Sequence, residues 1–73
     1  MELVNNMSRK KQVYDYLLEA ILSNKLPPGT PIIETEIATT LSTSRTPVRE
    51  ALKELESDGL VSQYPIKGTF VSD

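Results

Sequence analysis

Arg45, Arg49 and Lys53 stand four residues apart in the stretch "TSRTPVREALKELESDGL", residues 43 to 60. On a helix, that spacing stacks side chains along one face. Two guanidinium groups and an ammonium in such a row suit one kind of chemistry, the binding of an anion. They also crowd the start of the helix they occupy. The dipole there favours acids, and the first N–H groups already bind phosphate readily. Basic residues at this end do nothing for the helix itself, so an external polyanion is their simplest compensation. The whole chain nevertheless carries a net charge of −2 and has a pI near 5.0.

The distribution of charge resolves the conflict. Residues 42–53 hold three positive charges and one negative, whereas the remaining 61 residues hold five and nine. A second basic cluster, Arg9-Lys10-Lys11, also loads a helix start with the less favourable sign, and Lys67 stands in a turn near the C-terminus. Seven of the eight basic residues therefore fall at three places. Each has a plain alternative. Arg49 and Lys53 can pair with Glu50, Glu54 or Glu56 and merely solvate a helix face. Glu50 reads as such a structural partner. The basic start at 9–11 and the Lys67 tip can be solvation alone.

Other chemistry is excluded by what the 73 residues lack. There is no cysteine or histidine, so zinc constellations, a Ser-His-Asp triad and a Cys-His pair are all out of reach. A chain this short buries only about 60% of its unfolded surface and leaves little room for a pocket that could tune carboxylates. An enzyme is not expected, nor a cofactor or metal. No apolar run reaches membrane-spanning length and no signal-peptide pattern appears, so the expectation is a soluble, cytoplasmic protein with no membrane partner.

The elements that must position the basic residues follow from periodicity and turn chemistry. Residues 1–7 show no pattern and read as a flexible N-terminal arm, ahead of a single domain over 8–73. Ser8 caps a first helix with Val13, Leu17, Leu18, Ile21 and Leu22 on its buried stripe. Asn24 ends it in a left-handed conformation, and Pro28-Gly29 form the centre of a type II turn. Ile32-Ile33 reads as a short extended segment. A short second helix follows, with Glu34 and Glu36 in its first turn and Ile37, Ala38 and Leu41 on its apolar side. The third helix, about 46–57, starts with Thr46 as cap and Pro47 in first position. It buries Val48, Ala51, Leu52 and Leu55 and stops at Asp58-Gly59. "LVSQY" and "TFVS" read as strands joined by "PIKG". The fold class is mainly α with a small β hairpin. Its element order is that of a winged helix-turn-helix: three helices, a short strand and a two-stranded wing. With Val48, Leu52 and Leu55 inward, Arg49 and Lys53 point outward, about 100–140° away around the helix.

From "PPGTPIIETEIA" through "SRTPVREALKELESDGLV" to "KGTFV", the sequence resembles the N-terminal DNA-binding domain of GntR-family bacterial transcription regulators, in a form most like the FadR-type branch. The likeness covers about residues 9 to 72. It implies that the third helix reads the major groove of a double-stranded DNA operator, in the manner of a repressor. Arg45 and Arg49 would then contact bases or backbone near guanines. Ser44 and Thr46 would hydrogen-bond phosphate, with Pro47 beside them, and Lys67, Gly68 and Thr69 would form the wing contact. Arg9, Thr35 and Lys53 complete the expected DNA-binding set.

The sequence makes three departures from the family pattern. Thr35 stands where an arginine is usual, Ser42-Thr43 replaces Gly-Val in the turn, and Ile66 replaces an Arg or Gly in the wing. Such regulators typically dimerise through a C-terminal effector-binding domain, so a homodimer is expected of a full-length protein. A winged-helix protein-interaction module without DNA binding is the competing expectation; such domains keep the fold but lose the basic surface.

Overall fold

Ser8 opens the first helix as the sequence predicts, its Oγ accepting from the Lys11 N–H at 3.1 Å. The computed structural model describes residues 8–73, and the expected arm over 1–7 lies outside them. Helix α1 spans Arg9–Leu22, strand β1 Pro31–Ile32, helix α2 Glu34–Thr40 and helix α3 Arg45–Ser57. Strands β2, Val61–Tyr64, and β3, Gly68–Val71, complete the order. The short extended segment is a third strand: the sheet order is β1-β3-β2, both pairings antiparallel. It begins at Pro31 rather than Ile32, and Ile33 becomes the extended residue ahead of α2.

All three helices stop by the same device. After α1, Lys25 N–H donates to Ala20 C=O at 2.9 Å and Asn24 N–H to Ile21 C=O at 3.1 Å. After α2, Thr43 donates to Ala38 at 2.9 Å and Ser42 to Thr39 at 3.2 Å. After α3, Leu60 donates to Leu55 and Gly59 to Glu56, both at 2.9 Å. These are paired Schellman bonds, which need a left-handed residue just past the helix. Asn24, Ser42 and Gly59 occupy that place with φ of 65°, 54° and 79°. Only Gly59 takes it without steric cost.

Helix α3 begins two residues earlier than Thr46 as cap and Pro47 in first position would place it. Ser44, not Thr46, is the N-cap, and Pro47 is the third helical residue. Proline is tolerated there because the first turn's N–H groups have no intrahelical acceptor. The loop 27–30 is the expected turn, with Gly29 at φ 87° and Thr30 N–H donating to Pro27 C=O at 3.1 Å.

Val48, Ala51, Leu52 and Leu55 of α3 are fully buried, against Val13 and Leu17 of α1, Ala38 of α2 and Ile32, Val61 and Val71 of the sheet. Each large aliphatic side chain in this cluster contributes roughly 1.5–3 kcal/mol by leaving water. Leu22, expected in the buried stripe of α1, is instead exposed, and Ala20 takes the buried place. Leu22 is the last residue of α1, in its final turn. Among the described residues no polar or charged side chain is buried, so whatever the charged groups do, they do at the surface.

Candidate nucleic-acid interface

The turn Leu41–Ser44 joins α2 to α3, and the tight Schellman ending of α2 brings Glu34, at its first position, over the start of α3. Arg49 Nε donates to Glu34 Oε1 at 3.1 Å, and Arg45 Nε lies 3.8 Å from the same oxygen. Both arginine side chains remain more than half exposed, at 52% and 55%, while Glu34 is 31% exposed. The guanidinium groups are therefore tethered at one edge and open to solvent, not turned into the core. Expected partners of Arg49 on its own helix, Glu50 and Glu54, are not used. Glu54 pairs instead with Lys10 of α1 at 3.5 Å.

Lys53 forms no ion pair among the described residues, and neither does Arg9 or Lys67. Lys11 is engaged by Asp15 at 3.2 Å. Among the described residues, then, Arg9 is the member of the basic cluster at the start of α1 that has no ion pair, whereas Lys10 and Lys11 have one. Arg9 and Lys10 line a shallow depression with Ser42, Ser44, Thr46, Pro47 and Glu50. The structure thus brings together Arg9, Ser44, Thr46 and Pro47 from the expected set. Ser44 makes no side-chain bond to the helix N–H groups it precedes, which leaves that hydroxyl and those amides open to an acceptor from outside.

A second hollow lies between α3 and the hairpin, lined by Arg49, Glu50, Lys53 and Gln63. Strand alternation explains the geometry. Val61 and Gln63 share the face that looks at α3, and Thr69 lies opposite Gln63 in the register. Gln63 Nε2 donates to Thr69 Oγ1 at 3.3 Å. Thr69 therefore belongs to the α3 side of the wing and is half-buried, whereas Lys67 and Gly68 are exposed at its end. Thr35 is exposed on α2, next in sequence to Glu34. The set divides into a helix-tip group and a wing group, bridged by Gln63.

Two residues of this surface are not evident from sequence. Glu34 reads only as a first-turn acid, since its contact with Arg49 spans 15 residues. Gln63 reads as an ordinary strand residue, although period-2 alternation with buried Val61 would have placed it on the side facing α3.

The family described as "Bacterial regulatory proteins, gntR family" matches residues 9–71. The chain belongs to that family. This GntR domain is 47% identical over 60 residues to a Paenarthrobacter nicotinovorans protein named "Probable D-xylose utilization operon transcriptional repressor", covering 82% of the chain and 26% of that relative. A crystal structure of a GntR-family transcriptional regulator from Pseudomonas syringae pv. tomato superposes with a TM-score of 0.81 at 37% identity, covering 89% of this chain and 27% of that one. The NTD of AraR, in a crystal structure of its complex with mutant ORR3, gives a TM-score of 0.83 at 30% identity and covers 90% of this chain and 96% of that one. The chain spans only 26% to 40% of the length of the first three curated relatives it matches. The winged helix-turn-helix fold and a role in DNA-binding transcription regulation follow from this membership. Among the described residues, no helix is long and apolar enough to cross a membrane.

Proposed function

We propose that this GntR domain reads a double-stranded operator with α3 in the major groove and the β2–β3 hairpin as wing, in a cytoplasmic regulator that acts as a repressor. One observation carries the reading: Arg45 and Arg49 are held at the head of α3 with their guanidinium groups open to solvent. Guanidinium forks at that place suit guanine O6 and N7. Lys53 and Arg9 add phosphate contacts on either side, Ser44 and Thr46 donate hydroxyls, and Thr35 supplies a hydroxyl from α2. Lys67, Gly68 and Thr69 carry the wing contact. Repression is supported by the name of the relative from Paenarthrobacter nicotinovorans.

Because the chain covers a minor part of its relatives, a C-terminal effector-binding, dimerising domain belongs to this proposal. Two-fold operators then place paired α3 helices about 34 Å apart or at a related spacing. Selection of bound duplexes from a random pool tests the reading. Enrichment of one half-site containing guanine is expected, and binding restricted to mixed sequence, or absent, overturns it.

A further inference from the structure

We propose that Ile66 is an apolar wedge: with the domain seated on DNA, its side chain enters the minor groove beside the half-site and parts the stacking of one base step. The proposal rests on the operator-binding reading above. Lys67 N–H donates to Pro65 C=O at 2.7 Å, which closes a three-residue turn about Ile66 at φ 72°. That is the γ-turn with positive φ, rare and strained in itself, and for a β-branched residue an outlier. Ile66 is also the most exposed large apolar side chain among the described residues, at 107% of its reference area. Neither the strain nor the exposure is compensated within the protein. Glycine would hold the turn freely, and a polar residue would meet water better. Outliers of this kind cluster at ligand-contacting sites.

The tip is also stiff enough to act as a probe. Pro65 fixes its own φ, Tyr64 and Gly68 are paired across the hairpin, and the Tyr64 ring stands 6.2 Å from that of Phe70, tilted by 51°. The base of the same hairpin adjoins Arg49 and Lys53 through Gln63. With α3 in a major groove, the groove next along the duplex is the minor one, about 6 Å wide. A narrow tip carrying one aliphatic side chain suits it, and isoleucine is among the residues that part base steps there. Lys67, next in the chain, is placed to meet the flanking phosphate. Pyrimidine–purine steps unstack most easily, so the wedge adds a preference at a position that α3 does not touch.

The test uses duplexes selected from a random pool by the 73-residue chain, labelled with 2-aminopurine at successive steps flanking the half-site. Binding should raise fluorescence at one step, with TA or CA favoured there. Ile66→Gly should abolish the rise and weaken binding about tenfold, the scale expected for losing a buried aliphatic contact, while its melting temperature stays equal or increases. Ile66→Ala, which keeps the strained backbone, should abolish the rise without any gain in stability. Equal affinity and equal fluorescence for the wild type and Ile66→Gly would overturn the wedge and leave operator reading intact. Failure of the wild type to enrich any duplex would overturn both.

Discussion

Glu34 Oε1 lies 3.1 Å from Arg49 Nε and 3.8 Å from Arg45 Nε, so one carboxylate on α2 holds both arginines at the head of α3. Arg45 and Arg49 are like charges one turn apart, an arrangement that destabilises a helix. Glu34 offsets that repulsion and narrows the directions the two forks can take. It also sets a negative charge where a phosphate backbone would approach. Exposed pairs of this kind are worth about 0.2–1 kcal/mol, too little to anchor the fold. The pairing matters for recognition.

Removing that carboxylate should therefore loosen discrimination more than structure. Glu34→Gln is expected to raise affinity for mixed-sequence duplex several-fold and to steepen the slope of log K against log salt by up to about 1. The ratio of specific to mixed-sequence affinity should fall, and stability should change by less than about 1 kcal/mol. Fluorescence anisotropy over a salt series measures all but the last, which urea unfolding supplies. Unchanged affinity for mixed sequence would refute the electrostatic part.

Arg49→Ala is the sharper change. It should cost roughly 1–3 kcal/mol of specific binding and relax base preference at a single operator position. Repeating the random-pool selection with the variant reads this directly. A loss spread evenly over all positions would assign Arg49 to the backbone instead.

Arg9→Ala and Lys53→Ala should behave in the opposite way. Neither side chain is held by an ion pair among the described residues, so each is free to neutralise a phosphate. Both variants should weaken every duplex about equally and reduce the salt slope by about 1. Lys11→Ala, whose ammonium is engaged by Asp15, should change the slope less.

Ser42 occupies the left-handed position that closes α2, at φ 54°. A side chain there costs about 1–2 kcal/mol, and glycine returns part of that through the freedom of the unfolded chain. Ser42→Gly should raise stability by about 0.5 kcal/mol, read as a higher urea midpoint with an unchanged m-value. A lower midpoint would mean that the serine side chain stabilises the turn.

Tyr14 of α1 donates its hydroxyl to Asp58 Oδ2 at 2.5 Å, tying α1 to the residue that ends α3. Hydrogen bonding to the Asp58 carboxylate, then burial and nearby negative charge, push the phenol from its usual 10.0 up to about 12. The folded state keeps this proton more tightly than the unfolded state, so the tie contributes fully below pH 10 and is lost as pH rises through about 12. Thermal unfolding at pH 9 and pH 11 should show a smaller alkaline loss in Tyr14→Phe than in the wild type. In Asp58→Asn, NMR titration of the Tyr14 ring should show a midpoint shifted back towards 10.0.

Much of the fold was legible in the sequence because its signals are local. Ser8, Asn24, Gly29 and Gly59 mark ends and turns through their own backbone preferences. The row Val48, Ala51, Leu52 and Leu55 fixes which side of α3 is buried, and with it the outward direction of Arg49 and Lys53. Local signals do not fix the start of α3, because both Ser44 and Thr46 are competent caps. The choice depends on where the turn from α2 delivers the chain.

The sequence by itself determined the order of elements, the core face of each helix and the existence of a basic tip on an acidic body. These follow from periodicity and steric preference within a few residues. The tertiary structure alone decided that Glu34 rather than Glu50 meets Arg49, that Glu54 takes Lys10, and that Gln63 lies against Arg49 and Lys53. Partners so far apart in the chain meet only when helices and hairpin dock, and docking is set by the shape of the buried side chains. Those side chains carry no charge, so the pattern of charges alone could not announce how the surface groups would be paired.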